Sequence, residues 1–248
     1  MSTKTLIETM SGTLNILDYV INLSDIIGSG TFGVVYTAKH ATDDNTVIAA
    51  KKCKLQNQTQ IKLAQREIDL FGRLHEHPHV VTLHAFTCSD VSATGTSIWL
   101  FMEFCDAGDL EKYVCAKNPP LGFLKDIMFQ CASAIHYMHS SPEPMVHRDL
   151  KPQNVVMKTY GSAVVAKITD FGLAKTVQLN EQAHSVVFNT KCGTPVYMAP
   201  EFYQTATKEY GKPVDVFALG LLCMALILHK PGNDGLSPQT GTIFYLIL

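Results

Sequence analysis

Eight consecutive residues, His147-Arg148-Asp149-Leu150-Lys151-Pro152-Gln153-Asn154, set a carboxylate, two cations and an amide oxygen close together. Asp170-Phe171-Gly172 adds a second carboxylate further along. A positioned carboxylate accepts the proton of a hydroxyl, and a lysine neutralises anionic oxygens. Amide and carboxylate oxygens are hard donors that suit Mg²⁺, which keeps several waters and so needs only two protein ligands. Oxygens on Mg²⁺, positive charge near phosphates and a proton acceptor are what phosphoryl transfer from a nucleotide asks of a protein.

Two features nearer the start are compatible with that chemistry. Gly28-Ser29-Gly30-Thr31-Phe32-Gly33-Val34-Val35 has the pattern G-x-G-x-x-G-x-V. Glycines let backbone N–H groups approach phosphate oxygens without a side chain between. Dinucleotide-binding folds also use G-x-G-x-x-G, but there the last glycine opens a helix. Here Val34-Val35-Tyr36-Thr37 follows, a strand sequence, so the loop joins two strands. Lys51 ends Ile48-Ala49-Ala50-Lys51. Strand alternation puts Ala49 on the side of Lys51 and sends Lys52 to the opposite face.

The elements that must carry these residues fall into two kinds. Residues 20–37, 46–54, 80–87 and 97–104 are rich in β-branched and aromatic residues and read as strands. Residues 58–75 place Ile61, Ala64, Ile68, Phe71 and Leu74 near helical spacing. Beyond Asp109 helical signals dominate, at 110–115 and at 125–139, where Ile127, Cys131, Ala134, Ile135 and Met138 share a face. A strand-rich first third before a helical remainder predicts an α+β chain of two lobes. Val216 to Leu228 is uncharged but spans thirteen residues. A membrane span needs roughly twenty, so a buried core helix is expected.

Composition excludes several classes. The chain has 248 residues and a formal net charge of −2, which gives no sign of a nucleic-acid-binding surface. Seven cysteines are odd in number and scattered, with no C-x-x-C pair. Free thiols in a reducing compartment are expected, not a disulfide framework or a zinc site. The first twenty residues lack the basic start and apolar run of a signal peptide. A cytoplasmic location follows as the expectation, with a nuclear one also open and secretion not expected. His75, His77, His79 and His84 cluster around Pro78, which favours a loop over a metal site.

Taken together, the 147–154 and 170–172 stretches resemble the catalytic and metal loops of eukaryotic-type serine/threonine protein kinases. The resemblance covers about residues 20–229 and implies a two-lobed fold. Residues 1–19 would be an N-terminal extension, 20–102 a β-rich N-lobe with one main helix, 103–105 a hinge and 106–248 a mostly helical C-lobe. The implied cofactors are ATP and Mg²⁺. Asp149 would be the base, Lys151 would neutralise the γ-phosphoryl, and Asn154 and Asp170 would hold the metal. Lys51 would reach the α/β-phosphates and pair with Glu67. Gly28, Ser29, Gly30, Thr31, Phe32, Gly33 and Val35 would cover the nucleotide. Ala49, Met102 and Val156 would lie around adenine, bonded by backbone groups of Glu103 and Cys105. Asp109 would meet the ribose or a basic substrate residue, and Asp215 would accept bonds from the catalytic-loop backbone.

The same resemblance makes residues 170–201 an activation segment. Thr190 is its expected phosphorylation site, with Ser185 as runner-up, and Arg148 and Lys175 would clamp the phosphate. Thr194 is expected to bond Asp149 and Lys151 rather than to carry phosphate. Such chains normally continue through more helices after Gly220, and Glu201 normally pairs with an arginine from that region. Here the arginines are Arg66, Arg73 and Arg148, so either Lys208, Lys212 or Lys230 substitutes, or the lobe is loose, or the chain is a shortened one. A shortened C-lobe would leave part of the 221–228 helix exposed and invite a partner protein. Lysine two residues after the base points to serine and threonine hydroxyls of protein substrates. The alternatives are a nucleotide-binding pseudokinase or interaction module, and a phosphotransferase acting on a small molecule.

Overall fold

The structure is a computed structural model that describes residues 7–8, 13–30, 33–55, 68–69, 71–74, 76–91, 95–171, 175–176, 195–202 and 211–229. The chain divides into two compact units, one drawn from residues 1–76 and 81–105, the other from 77–80 and 106–248.

The first unit is built on a seven-stranded sheet. Its strands are β1 (Ile7–Glu8), β2 (Thr13–Ile16), β3 (Tyr19–Gly30), β4 (Gly33–His40), β5 (Asp43–Leu55), β6 (Leu83–Val91) and β7 (Gly95–Glu103), in the order β1-β2-β3-β4-β5-β7-β6. All neighbours are antiparallel. Alternation along the strands separates two faces. One buries Ile21, Ala38, Ile48, Ala50, Trp99 and Phe101, joined by Leu14 and Ile16 of β2. Burial of the Ile, Leu and Phe side chains among them stabilises by about 1.5–3 kcal/mol each. Residues before position 20, expected as an extension, therefore contribute strands to the sheet and two side chains to its core. Tyr19 stacks on Phe101 with ring centroids 4.5 Å apart. Lys52 lies over the Trp99 ring at 5.2 Å, on the face its parity predicts. Residues 68–69 and 71–73 are helical, and Ile68, Phe71 and Leu74 are buried.

The second unit opens with two helices, α1 (Leu110–Lys117) and α2 (Leu121–Ser140). Asp109 caps α1, accepting the Lys112 N–H at 2.9 Å, and Asn118 ends it in the left-handed region at φ 43°. Along α2 the buried residues are Leu124, Ile127, Cys131, Ala134, Ile135 and Met138, the expected 3–4 spacing. The helix starts at Leu121, earlier than its apolar period alone indicates, because Pro120 is tolerated at the helix entrance. Burial pushes the Cys131 thiol up to about 12, so it packs as a small apolar group.

Short strands follow, β8 (Met145–Val146), β9 (Val155–Tyr160), β10 (Ala163–Ile168) and β11 (Lys175–Thr176). β9 and β10 form a hairpin in which Ala163 pairs with Tyr160, leaving Gly161 and Ser162 as the two-residue turn. Gly161 takes φ +60°, which such a turn demands. The apolar run becomes α3 (Pro213–Leu228). It buries Val214, Ala218, Leu221, Leu222, Ala225 and Leu226, while Val216, Ile227 and Leu228 are exposed. Among the described residues no helix is long and apolar enough to cross a membrane.

Candidate active site

The strand register assembles the candidate nucleotide face of the first unit. Val35 is opposite Lys51, and Lys51 is opposite Leu100. Two residues along, Thr37 is opposite Ala49, and Ala49 is opposite Met102. Partners in a row project to one face, as do residues two apart, so Val35, Ala49, Lys51 and Met102 share a face. The glycines of the loop are not equivalent. Gly28 faces Val35, and a Cβ there would stand 3.8 Å from that side chain, an ordinary contact. Gly33 has φ +142°, and a Cβ there would come within 2.1 Å of the Lys52 carbonyl oxygen, so only glycine fits. The Glu103 N–H donates to the Thr82 carbonyl at 2.9 Å, so that backbone group is engaged within the chain.

In the second unit the 147–154 loop is shaped from α3. Asp215 is fully buried in the first turn of that helix. Its carboxylate accepts the His147 N–H at 2.8 Å, the Arg148 N–H at 2.9 Å and His139 Nε2 at 2.9 Å. Those bonds hold Arg148 at φ +72°, a left-handed conformation that is unfavourable for a side chain with a Cβ. The His147 ring fixes a second joint. Nε2 faces the Thr169 carbonyl at 2.9 Å, and Nδ1 faces the Asp149 N–H at 3.3 Å. A carbonyl only accepts and an amide N–H only donates, so the proton is on Nε2. The ring stands edge-on to Phe171 at 5.3 Å.

Within the loop three side chains converge. Lys151 Nζ is 3.0 Å from Asp149 Oδ2. Asn154 Nδ2 donates to the same oxygen at 2.9 Å and to the Asp149 carbonyl at 2.7 Å. Both partners of Nδ2 are oxygens that accept, which orients the amide and makes its other atom an oxygen, the hard donor Mg²⁺ prefers. The Asn154 carbonyl accepts the Thr169 N–H at 3.0 Å, so the strand that delivers Asp170 is tied to the loop. Asp170 itself takes φ +66°. Beside the loop lies a small cavity, with room for about one water, walled by Asp149, Leu150, Tyr197, Met198 and Val214. Burial, and secondarily the charge of Glu111, push the Tyr197 hydroxyl well above its ordinary pKa, so it stays neutral. Glu111 accepts from Gln153 Nε2 at 2.6 Å.

Val156 and Asp109 are brought together as bridge partners. Both Asp109 oxygens are engaged inside the chain, one by the Lys112 N–H and the other by Lys112 Nζ at 2.8 Å. Lys175 is described only as a strand residue paired with Val146. Thr31, Phe32, Glu67, Gly172, Ser185, Thr190 and Thr194 lie outside the described residues. Sequence reasoning missed His139, the third group on Asp215. Its partner is 76 residues away, so no local spacing points to it. His77 and His79 are occupied by Ser133 and Ala166, and among the described residues no three His, Cys, Asp or Glu gather as metal ligands.

A sequence model of the protein kinase domain matches residues 21–240. Human serine/threonine-protein kinase ULK1 is 29% identical over 242 residues, covering 94% of this chain and 22% of the relative. Arabidopsis thaliana serine/threonine-protein kinase ATG1c is 31% identical over 227 residues, covering 90% of this chain and 28% of the relative. Schizosaccharomyces pombe serine/threonine-protein kinase ppk16 is 34% identical over 210 residues, covering 84% of this chain and 28% of the relative. The chain therefore spans between 22% and 28% of the length of these relatives.

Proposed function

The chain belongs to the protein kinase domain family, and from that premise we propose that it transfers the γ-phosphoryl group of ATP to serine and threonine hydroxyls of protein substrates. The convergence of Lys151 and Asn154 on the Asp149 carboxylate carries the reading. Asp149 is pinned by two donors, and its carboxylate is the group that would accept the proton of an incoming hydroxyl. Lys151 brings a fixed positive charge to the atoms where negative charge spreads during transfer.

Asn154 and Asp170 are the residues that would hold Mg²⁺. The orientation of the Asn154 amide fits this role, because its nitrogen is committed to Asp149. The ion supplies charge neutralisation at the phosphate oxygens. Val35, Ala49, Lys51 and Met102, on one face of the first unit, take the adenine and the phosphates, with the glycine loop as cover. Relatives at about 30% identity that are named serine/threonine kinases support hydroxyl acceptors in proteins over small molecules. Nothing in the geometry of the loop favours a pseudokinase.

The test is transfer of labelled γ-phosphate to a general protein substrate and to the chain itself, with and without Mg²⁺. Asp149→Asn keeps the shape and the Asn154 contact but accepts a proton poorly, so transfer should fall by about 10²–10⁴-fold. Nucleotide binding by that variant should be retained. Equal transfer by wild type and Asp149→Asn would refute the assignment.

A further inference from the structure

The turn 77–80 belongs to the second unit, and its histidines are bonded there in two chemically different ways. His77 Nδ1 faces the backbone N–H of His79 at 3.2 Å, and its Nε2 faces Ser133 Oγ of α2 at 3.2 Å. Its ring stacks on Tyr137 of the same helix, with centroids 4.9 Å apart and planes 29° apart. An N–H can only donate, so His77 Nδ1 must carry a lone pair, and the ring must be neutral for this bond to exist. His79 is the reverse case. Its Nδ1 faces the Ala166 carbonyl at 3.1 Å, so that nitrogen already carries a hydrogen and keeps its bond if the ring takes a second proton.

The turn is fastened to β10 by backbone bonds. The Ile168 N–H donates to the His79 carbonyl at 2.9 Å, and Val80 bridges to Ile168 in parallel fashion. Lys167, buried on that strand, reaches the Val80 carbonyl at 3.5 Å. Ile168 is two residues before Asp170, so the fastening lies directly upstream of the candidate metal ligand.

The charges around the turn make protonation unfavourable. From β10 comes the ammonium of Lys167, and from the turn itself the second imidazole, His79. From α2 come the Ser133 hydroxyl, the Tyr137 ring and Gln130, which accepts the Ala166 N–H at 2.7 Å. Burial first, then His79 and Lys167, hold His77 below its ordinary value of 6.5.

We propose that His77 is a proton-operated latch: its neutral ring accepts the His79 N–H and so shapes the turn whose backbone holds β10, and its protonation turns the Nδ1 acceptor into a donor and loosens the strand that leads to Asp170. The latch is a property of the turn itself and stands or falls independently of the catalytic reading. The sign follows from linkage. The closed turn resists a proton that the open turn takes up near its ordinary pKa, so the latch is fully engaged above that value. It weakens as pH falls below about 6.5, by at most about tenfold per pH unit for one group.

Amide hydrogen exchange reads this directly. The Ile168 amide is bonded across the fastening, and the Met157 amide, bonded to the Gly108 carbonyl at 2.8 Å, serves as a reference in the same unit. After correction for intrinsic exchange, protection at Ile168 should fall between pH 7.5 and 5.5, by at most about tenfold, while that at Met157 holds. His77→Gln, neutral at every pH and able to accept the same N–H, should abolish the fall. Constant protection in wild type, or an equal fall in the variant, overturns the latch. If His77→Gln does not fold, NMR titration of the wild-type rings decides: a His77 midpoint below 6.5 supports the proposal, and one at or above 6.5 overturns it.

Discussion

Replacing Asp215 by alanine strips the acceptor from two backbone amides and one imidazole. The His147 and Arg148 N–H groups then lie at the buried position the carboxylate vacated. Each buried N–H left without a partner costs about 1–3 kcal/mol, so the two together cost about 2–6 kcal/mol. Removing a buried charge also removes its desolvation penalty, so the stranded amides, and not the gross Coulomb energy, set the scale. For a chain of this size each kcal/mol shifts the melting temperature by about 2–4 °C, which gives a fall of at least about 4 °C. Asp215→Asn retains one carbonyl oxygen and should lose about half as much. Arg148 would also be released from its left-handed backbone, so phosphoryl transfer should drop further than stability alone explains. The assay is thermal unfolding of the three proteins at pH 7.5, with transfer measured on those still folded. A melting temperature for Asp215→Ala within about 1 °C of wild type, or above that of Asp215→Asn, would refute the clamp.

Two further substitutions separate residues that look alike in sequence. Gly33→Ala drives a Cβ into the Lys52 carbonyl and should destabilise the first unit by more than about 2 kcal/mol, whereas Gly28→Ala, in ordinary contact with Val35, should cost under about 1 kcal/mol; equal losses in denaturant unfolding would contradict the register. Asp109→Ala removes the cap of α1 and should cost about 1 kcal/mol, with most of it restored by Asp109→Ser, as read from melting temperatures.

The 147–154 loop and the Lys51 strand stand out in the sequence because their polar groups are packed into short stretches. Alternation placed Lys51 and Ala49 on one face and Lys52 on the other, and the register agrees. The apolar period of α2 was equally clear, since Ile127, Cys131, Ala134, Ile135 and Met138 all face inward. Other features left weaker traces. The β9–β10 hairpin carries Lys158, Lys167 and the Thr159-Tyr160 pair among its valines, so neither helical nor strict alternating periodicity stands out. Its strand character depends on the Gly161 turn. Val80 and Val81 looked like the start of a strand, but the turn before them takes Val80 to a single bridge with Ile168 and β6 starts only at Leu83. The packing of Leu14 and Ile16 left no trace because two apolar residues in isolation say nothing about the Trp99 and Phe101 surface that receives them. The capping of α1 by Asp109 is local chemistry that its position before Leu110 advertises.

The distance in sequence between the loop and its clamp has a consequence for a chain still being made. Asp215 lies 68 residues after His147 and 67 after Arg148. At a synthesis rate of about 5–20 residues per second, roughly 3–14 s pass between the addition of the loop and the addition of the residue that shapes it. During that interval a nascent chain carries Asp149, Lys151 and Asn154 but no anchor for Arg148 in its unfavourable backbone conformation. The geometry of the 147–154 loop is thus incomplete until α3 has formed and docked against it, which ties the shape of the loop to a helix made well after it.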